Sequence, residues 1–550
     1  MFSLNIQVTQ QHEEVRKQVR EFAEKNIAPI TMELDENNTF PADIVKQLGK
    51  MGILGLPFPQ ADDGAGKDIL AYAIAVEELS RVDGGVGVIL SAHISLGSWP
   101  IYTHGTKEQK EKYLRPLATG EKIGAFGLTE YNAGSDAGGT ETTAVLQGDH
   151  YLLNGSKIFI TNAPQADTYV VFAVTTPGIG TRGISAFIVE KGWEGFTYGT
   201  HYNKMGIRSS STAELLFRDV KVPKENLLGE EGQGFKIAMQ TLDGGRIGIA
   251  AQALGIAQGA YEQAVAYAKE REQFHAPISS LQAIAFKIAD MATKISAARL
   301  LVYHAAALKD AHEPYGQESA MAKMYASDIC LEVTNDALQI HGGYGFIKGM
   351  PVERMYRDAK ICTIYEGTNE IQRLVVASAI LGSKKKKVAQ KETKQNDRQK
   401  IMVKDGSSED KTKQLISFMQ KSLEGKSAQN LDIMCSIGLG LKEKEDLAII
   451  KDLAKTLDAQ IGCSRPFAED RKWLPMDKFI GVSGQKFKGD VYIAIGISGA
   501  VQHEFGIKEA KTIIAINTDE RAPIFQQADI GIVGDLYEIV PLLTKQLQSF

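Results

Sequence analysis

The spacing of apolar residues changes period along the chain, and those changes constrain the fold more than any single motif. From Thr9 to about Arg115 apolar residues recur three and four apart, as in Val15, Val19, Phe22 and Ile27, with breaks at Pro41, at Pro57-Phe58-Pro59 and at Gly84-Gly85. This is the stripe of a set of helices, and their Met and aromatic residues read as core. From Ile123 to about Val222 short alternating runs such as Tyr169 to Val174 and Ile184 to Val189, separated by Gly, Asn, Pro and Thr clusters, indicate a small β domain. From Gly232 to about Leu381 the helical period returns in Ala-rich segments, interrupted at Pro277, Pro314 and Gly342-Gly343. The expected order is helices, β domain, then four-helix bundle.

A break follows. Lys384 to Lys387 are consecutive lysines, and the chain to about Gln429 is rich in Lys, Gln, Ser, Glu and Asp, which reads as a solvated linker. As a coil its length would give about 35–40 Å of reach. Beyond it, Leu431 to Cys435 reads as a strand, Glu445 to Asp458 as a helix, and Val491 to Ile495 and Thr512 to Asn517 as buried strands around the turn Gly496-Ile497-Ser498-Gly499. Strand, glycine turn, helix and strand form a βαβ unit of a parallel-sheet, Rossmann-like domain, and such a turn offers amides to a dinucleotide's phosphates. The expected division is 1–120 helical, 121–230 β, 231–383 helical bundle, 384–428 linker and 429–550 α/β.

With 550 residues, 43% hydrophobic and 23% charged, the chain has the composition of a multidomain globular protein. A net charge of −5 gives no reason to invoke nucleic acid. Cys330, Cys362, Cys435 and Cys463 show neither CxxC pairing nor a His cluster, so neither a disulfide framework nor a metal site is expected. The N-terminus lacks the pattern of an export signal, and no segment approaches about 18 uninterrupted apolar residues, so a reducing cytoplasm without a membrane span is the expectation.

The candidate chemistry centres on Ile364-Tyr365-Glu366-Gly367-Thr368-Asn369-Glu370, where one carboxylate sits on a glycine-flanked turn ahead of a helix that Thr368 can cap. By itself this is either a capped surface turn or the seat of a base. Upstream lie Gln339-Ile340-His341-Gly342-Gly343-Tyr344-Gly345 and Arg354-Met355-Tyr356-Arg357-Asp358; His341 there reads as a packing residue.

In this order the segments resemble the C-terminal signature of the acyl-CoA dehydrogenase family, and the resemblance extends over roughly the first 383 residues. It implies that Glu366 removes the α-proton of an acyl-CoA thioester while a hydride leaves the β-carbon for FAD, with Tyr365 and Gly367 beside the substrate. It implies flavin contacts from Phe126, Leu128, Thr129, Phe159, Ile160, Thr161, Thr368 and Asn369, and a contact of Ser135 with substrate or cofactor phosphates. Phe159 stands where many relatives have tryptophan, which keeps an apolar wall. Asp243-Gly244-Gly245-Arg246 resembles short-chain, butyryl-CoA enzymes, with Asp243 and Arg246 at positions that hold the CoA moiety. Arg271, Gln273, Phe274, Gln282, Gln339, Gly342 and Gly343 match positions that reach the FAD of a neighbouring subunit, which implies a homotetramer; His275 replaces a usual glycine in that loop.

The tail resembles the FAD-binding domain of the electron-transferring flavoprotein α subunit, in the words GISGAVQH and AINTDERAPIFQQADIGIVGDL. The match places Arg465 near a flavin ring, Ser483 and Gly484 toward its N5 edge, Ser498, Gly499, Ala500, Gln502 and His503 at phosphates and ring, and Asn517, Asp535 and Leu536 at ribose and adenine. Gly438-Leu439-Gly440 replaces a frequent Gly-Arg-Gly, and Val482 a frequent glutamine. One lost guanidinium contact is worth about 1.5–3 kcal/mol, or about 10- to 100-fold in flavin affinity. The expectation is thus an FAD-dependent short-chain acyl-CoA dehydrogenase fused to its own electron-transfer domain, with a flavin in each part and a further flavoprotein subunit or other redox partner. The alternatives are an acyl-CoA oxidase, or a carrier or docking module whose tail binds NAD or AMP.

Overall fold

The computed structural model describes residues 6–382, 401–422, 431–481, 484–499 and 501–548. They fall into two compact units, Met1–Lys384 and Lys385–Phe550. The first follows the period changes of the sequence. Its N-terminal helices include Gln10–Phe22, Ile69–Val82 and Gly84–Ser91, the last capped by Asp83, whose Oδ1 accepts from Gly85 N at 2.9 Å and Val86 N at 3.1 Å. The stretch Gly84–His104 is the one described helical stretch long and apolar enough to cross a membrane, and it lies inside the core.

The β domain is an eight-stranded sheet whose central pairing joins Thr143–Gln147, His150–Thr161 and Thr212–Pro223 antiparallel, while Gly124–Gly127 runs parallel to Thr168–Val174. A register shift between Lys157 and Ile160 bulges the long strand at Phe159, which adopts the left-handed conformation at φ +58. The bundle consists of Gly234–Glu270, Gln282–Asp310, Gly316–His341 and the shorter Pro351–Ile361 and Asn369–Leu381. Small residues on the 37-residue helix Gly234–Glu270 let its neighbours approach: a side chain at Gly255 would strike the backbone of Glu77, and one at Gly259 that of Arg81. The helix carrying Glu77 and Arg81 is held there as well by Arg299, whose guanidinium donates to Glu77 at 2.8 and 3.0 Å.

The second unit holds a six-stranded, all-parallel sheet in the order Ile401–Val403, Ile530–Val533, Thr512–Asn517, Val491–Ile495, Ile433–Ile437, Gln460–Cys463. Near-continuous apolar runs such as Val491–Ile495 are buried on both faces, as a parallel sheet requires. The sheet corrects the linker expected over 384–428 at residues 401–422, while 384–400 and 423–428 lie outside the described residues. Ile401–Val403 pairs with Ile530–Val533, and the helix Ser408–Ser422 packs Leu415, Ile416 and Met419 into the core of this unit. Charged residues between those apolar positions gave the stretch the composition of a linker. All four cysteines are buried and unpaired.

Candidate active site and nucleotide cradle

The turn at Glu366 is built from an energetically costly backbone. Glu366 has φ +50 and Gly367 φ +89, and a non-glycine residue holds a left-handed conformation only where its surroundings impose it. Thr368 then caps the helix Asn369–Leu381, its side chain accepting from Ile371 N at 3.4 Å. Gln372, one turn into that helix, donates from Nε2 back to the carbonyls of Glu366 at 3.1 Å and Gly367 at 2.8 Å. From the helix Gly316–His341, Lys323 donates to Gly367 O at 2.8 Å and to Asn369 Oδ1 at 2.9 Å.

The carboxylate these contacts aim lies against Gly245 of the long helix Gly234–Glu270. Its Oε2 is buried without a hydrogen-bond partner among the described residues, and a side chain at Gly245 would collide with it. Removal from water pushes the Glu366 carboxyl up from 4.5 to about 8, and the positive charges of Lys323 and Arg246 oppose that rise. A partnerless carboxylate with a proton affinity near neutrality is equipped to accept a proton from a bound molecule. Arg246 is itself paired to Asp243 at 2.6 Å. Tyr365 donates its hydroxyl to Gln252 Oε1, and Gln252 donates to Gly84 O at 2.7 Å. One turn along the helix from Gly245, the surface of Gly248 is filled by the Tyr72 hydroxyl and Ser91 Oγ, which lie 3.2 Å apart.

The strand end Phe126-Gly127 with Leu128 and Thr129 meets the long strand that carries Phe159, Ile160 and Thr161, where Ile158 N donates to Thr129 O at 2.9 Å; Leu128 and Ile160 are buried. The bulge leaves the Phe159 ring 59% exposed against Tyr202, an apolar wall suited to a flat ring system. Ser135 sits exposed on the loop before Ala137–Gly139. Arg271, Gln273, Phe274, Gln282, Gln339, Gly342 and Gly343 are all exposed. The Arg271 guanidinium lies over the Tyr344 ring, bringing the first loop against the Gly342–Phe346 turn. Phe274 and His275 both take positive φ, 52 and 64, so the loop turns without its usual glycine. His341 is buried, stacks on Tyr267 at 4.2 Å and bonds Ala337 O, a packing residue.

In the second unit the nucleotide candidates meet at the carboxyl ends of the parallel strands, where such folds take their ligands. Gly496 and Gly499 have φ of +62 and +83, and side chains at Gly438 or Gly499 would strike the backbones of Gly496 or Ile524. Asn517 Nδ2 bonds Ile497 O at 2.8 Å and braces the turn that leaves Ser498 exposed. His503 is buried, with Nε2 2.7 Å from the Tyr492 hydroxyl and Nδ1 without a partner among the described residues. A tight glycine cradle at the carboxyl ends of the parallel strands fits a bound flavin nucleotide. Gly484 is half-buried in the loop after Ile480. Arg465 is exposed and paired to Glu469 at 2.6 Å. Asp535 caps the helix Leu536–Leu547 by accepting from Tyr537 N. The side chain of Leu536 packs into the core beneath Gly440 and Gly496. Leu439 is exposed where an arginine was the comparison. Ser483 and Ala500 lie outside the described residues, as does the side chain of Gln502.

Lys323, Gln372, Gln252 and Gly245 are absent from the sequence-derived set. The signal for Lys323 was present: it falls on the buried stripe Ala320, Ala322, Ala326, Cys330 of an Ala-rich helix, where a lysine is costly unless it has work to do.

Family profiles described as acyl-CoA dehydrogenase N-terminal, middle and C-terminal domain match residues 9–121, 125–220 and 232–381, and the electron transfer flavoprotein FAD-binding domain matches 428–508. The short-chain specific acyl-CoA dehydrogenase of Clostridium acetobutylicum is 57% identical over 377 residues, 68% of this chain and 100% of that protein. A subunit of the caffeyl-CoA reductase–Etf complex of Acetobacterium woodii is 51% identical over 374 residues, 68% of this chain and 99% of that protein. The solved butyryl-CoA dehydrogenase of Megasphaera elsdenii superposes with a TM-score of 0.68 at 51% identity, covering 68% of this chain and 100% of that one.

Proposed function

The chain belongs to the acyl-CoA dehydrogenase family, and from that premise we propose that it interconverts a short-chain acyl-CoA and its α,β-unsaturated counterpart, passing electrons to or from its own C-terminal domain. It is an FAD-dependent oxidoreductase with FAD in both parts. In the dehydrogenase part FAD supplies the acceptor for the hydride from the substrate β-carbon. Glu366 accepts the α-proton, and the observation that carries this role is its partnerless Oε2, held against Gly245 by a turn that Lys323 and Gln372 brace. Amides at the turn would stabilise the negative charge that develops on the thioester oxygen.

Short-chain preference is supported by the crowding over Gly248. An acyl chain extended along this helix from Glu366 would meet the Tyr72 hydroxyl and Ser91 Oγ within one turn. The test compares butyryl-CoA with octanoyl-CoA in anaerobic turnover. A higher kcat/KM for butyryl-CoA is expected, since a pocket wall discriminates by about 1–3 kcal/mol per methylene; a maximum at eight carbons or more refutes it.

The exposed set from Arg271 to Gly343, which includes Phe274 and has Phe286 and Phe346 exposed beside it in sequence, supports a homotetramer in which this surface closes on a neighbour's FAD. A tail of flavoprotein α type and a relative named as part of an Etf complex support a further flavoprotein subunit as electron partner.

A further inference from the structure

Among the described residues of the first unit, Lys157 and Lys323 are the most deeply buried lysines, and they are matched in different ways. Lys157 is paired with Glu130 Oε1 at 2.6 Å, an ordinary internal ion pair. Lys323 is equally buried, but its hydrogen bonds go to neutral acceptors, the carbonyl of Gly367 and the amide oxygen of Asn369. Those residues stand on either side of Thr368, so one ammonium clamps the chain immediately after Glu366. Asn369 is locked to the same helix through Ser327 Oγ at 2.9 Å and Asp328 Oδ1 at 2.7 Å. We propose that Lys323 is a positioning residue for Glu366, fixing the left-handed turn and supplying the uncompensated positive charge that keeps its carboxylate usable as a base. This rests on the dehydrogenase reading above.

The surrounding charges favour Lys323 for the role. From the helix Gly234–Glu270, Arg246 faces Glu366, but its charge is offset by Asp243. From Ile69–Val82 comes Tyr72, and from the turn's own segment Tyr365 and Cys362, all neutral, with burial raising their pKa values. On the helix Gly316–His341, Asp328 is taken by Asn369 and by Arg373 at 3.0 Å, and on the following helix Glu370 is exposed. Burial pushes the Lys323 ammonium down to about 8, and the carboxylates of Glu366 and Asp328 oppose that fall. The cation is therefore held by hydrogen bonds to neutral oxygens at the turn, with the nearby carboxylates acting on it only at longer range.

The test uses the holoenzyme and the variants Lys323→Gln, Lys323→Arg and Asn369→Asp, each checked for FAD content. Two readouts are taken: the pH profile of kcat/KM for butyryl-CoA, and direct titration of the Glu366 carboxyl by infrared difference against the matching Glu366→Gln protein. In Lys323→Gln the Glu366 midpoint should rise by about one pH unit, a tenfold gain in proton affinity. Lys323→Arg should return it to within a few tenths of wild type. Asn369→Asp leaves the buried cation in place but pairs it, and should raise the midpoint in the same direction even if Lys323→Gln does not fold. An unchanged midpoint in folded Lys323→Gln or in Asn369→Asp, or an equal rise in Gln and Arg variants, overturns the proposal. Wild type inactive on butyryl-CoA would defeat the dehydrogenase reading instead, and the infrared titration would still judge Lys323.

Discussion

Glu366 Oε2 occupies the space that the first side-chain carbon of any residue but glycine at position 245 would need. The two residues are 121 positions apart, and the contact makes Gly245 part of how the carboxylate is aimed. Gly245→Ala should therefore displace the carboxylate while leaving the helix intact, since alanine is the better helix former. A displacement of about 1 Å can cost about 100-fold. The expected outcome is kcat on butyryl-CoA reduced by that order with FAD content and melting temperature near wild type; unaltered kcat would mean that Glu366 is not held where it works.

Glu366→Gln keeps the shape of the side chain and removes its ability to accept a proton. General-base catalysis contributes about 10²- to 10⁴-fold, so steady-state oxidation of butyryl-CoA should fall by that range with FAD retained. Activity within tenfold of wild type would move the base elsewhere.

The raised proton affinity of Glu366 gives pH effects of opposite sign on activity and stability. The base form gains population as pH rises toward about 8, so kcat/KM in the free enzyme should increase with pH up to that region. A carboxyl raised in the folded state is neutral there while its unfolded counterpart, near 4.5, is ionised. Its stabilising contribution is present below 4.5 and is lost as pH rises through about 8. Melting temperatures of wild type should fall relative to Glu366→Gln across that window; parallel curves would show that the carboxyl is not shifted.

In the tail, Gly499 combines φ +83 with contact against the Ile524 backbone. Gly499→Val strains the cradle without touching the first unit's core. Flavin released on denaturation should drop from two per chain to one, while butyryl-CoA still reduces the remaining flavin. Two flavins retained would place the second nucleotide elsewhere.

What could be read from the sequence was whatever is encoded locally. The cap at Thr368 and the strands Val491–Ile495 and Thr512–Asn517 stand where composition and periodicity put them, because a capping oxygen or an apolar run acts on its immediate neighbours. The strand Ile401–Val403 and helix Ser408–Ser422 were hidden, since their partners Ile530–Val533 and Leu536–Leu547 lie more than a hundred residues on. Gly245 was hidden for the same reason, since it has no meaning until the bundle folds it under Glu366, 121 residues on; Lys323 was legible as a cation on a buried stripe, but its partners Gly367 and Asn369 were not.

The final prediction concerns the joint between the units. With Ile401–Val403 and Ser408–Ser422 belonging to the C-terminal sheet, the connecting span shortens from the 45 residues of 384–428 to the 18 of 383–400. At full extension 18 residues reach no more than about 60 Å. A tether of this length makes an encounter between the two parts intramolecular, with effective concentrations near the millimolar range. Electron exchange between the two flavins should then be first-order and independent of protein concentration. In a stopped-flow experiment the catalytic flavin is reduced with butyryl-CoA and the second flavin followed, in the intact chain and in an equimolar mixture of 1–384 with 385–550. At about 1 μM protein the intact chain should transfer faster by orders of magnitude, and only the mixture should speed up on concentration. Equal rates in both would reduce the tail to an appendage that happens to carry a flavin.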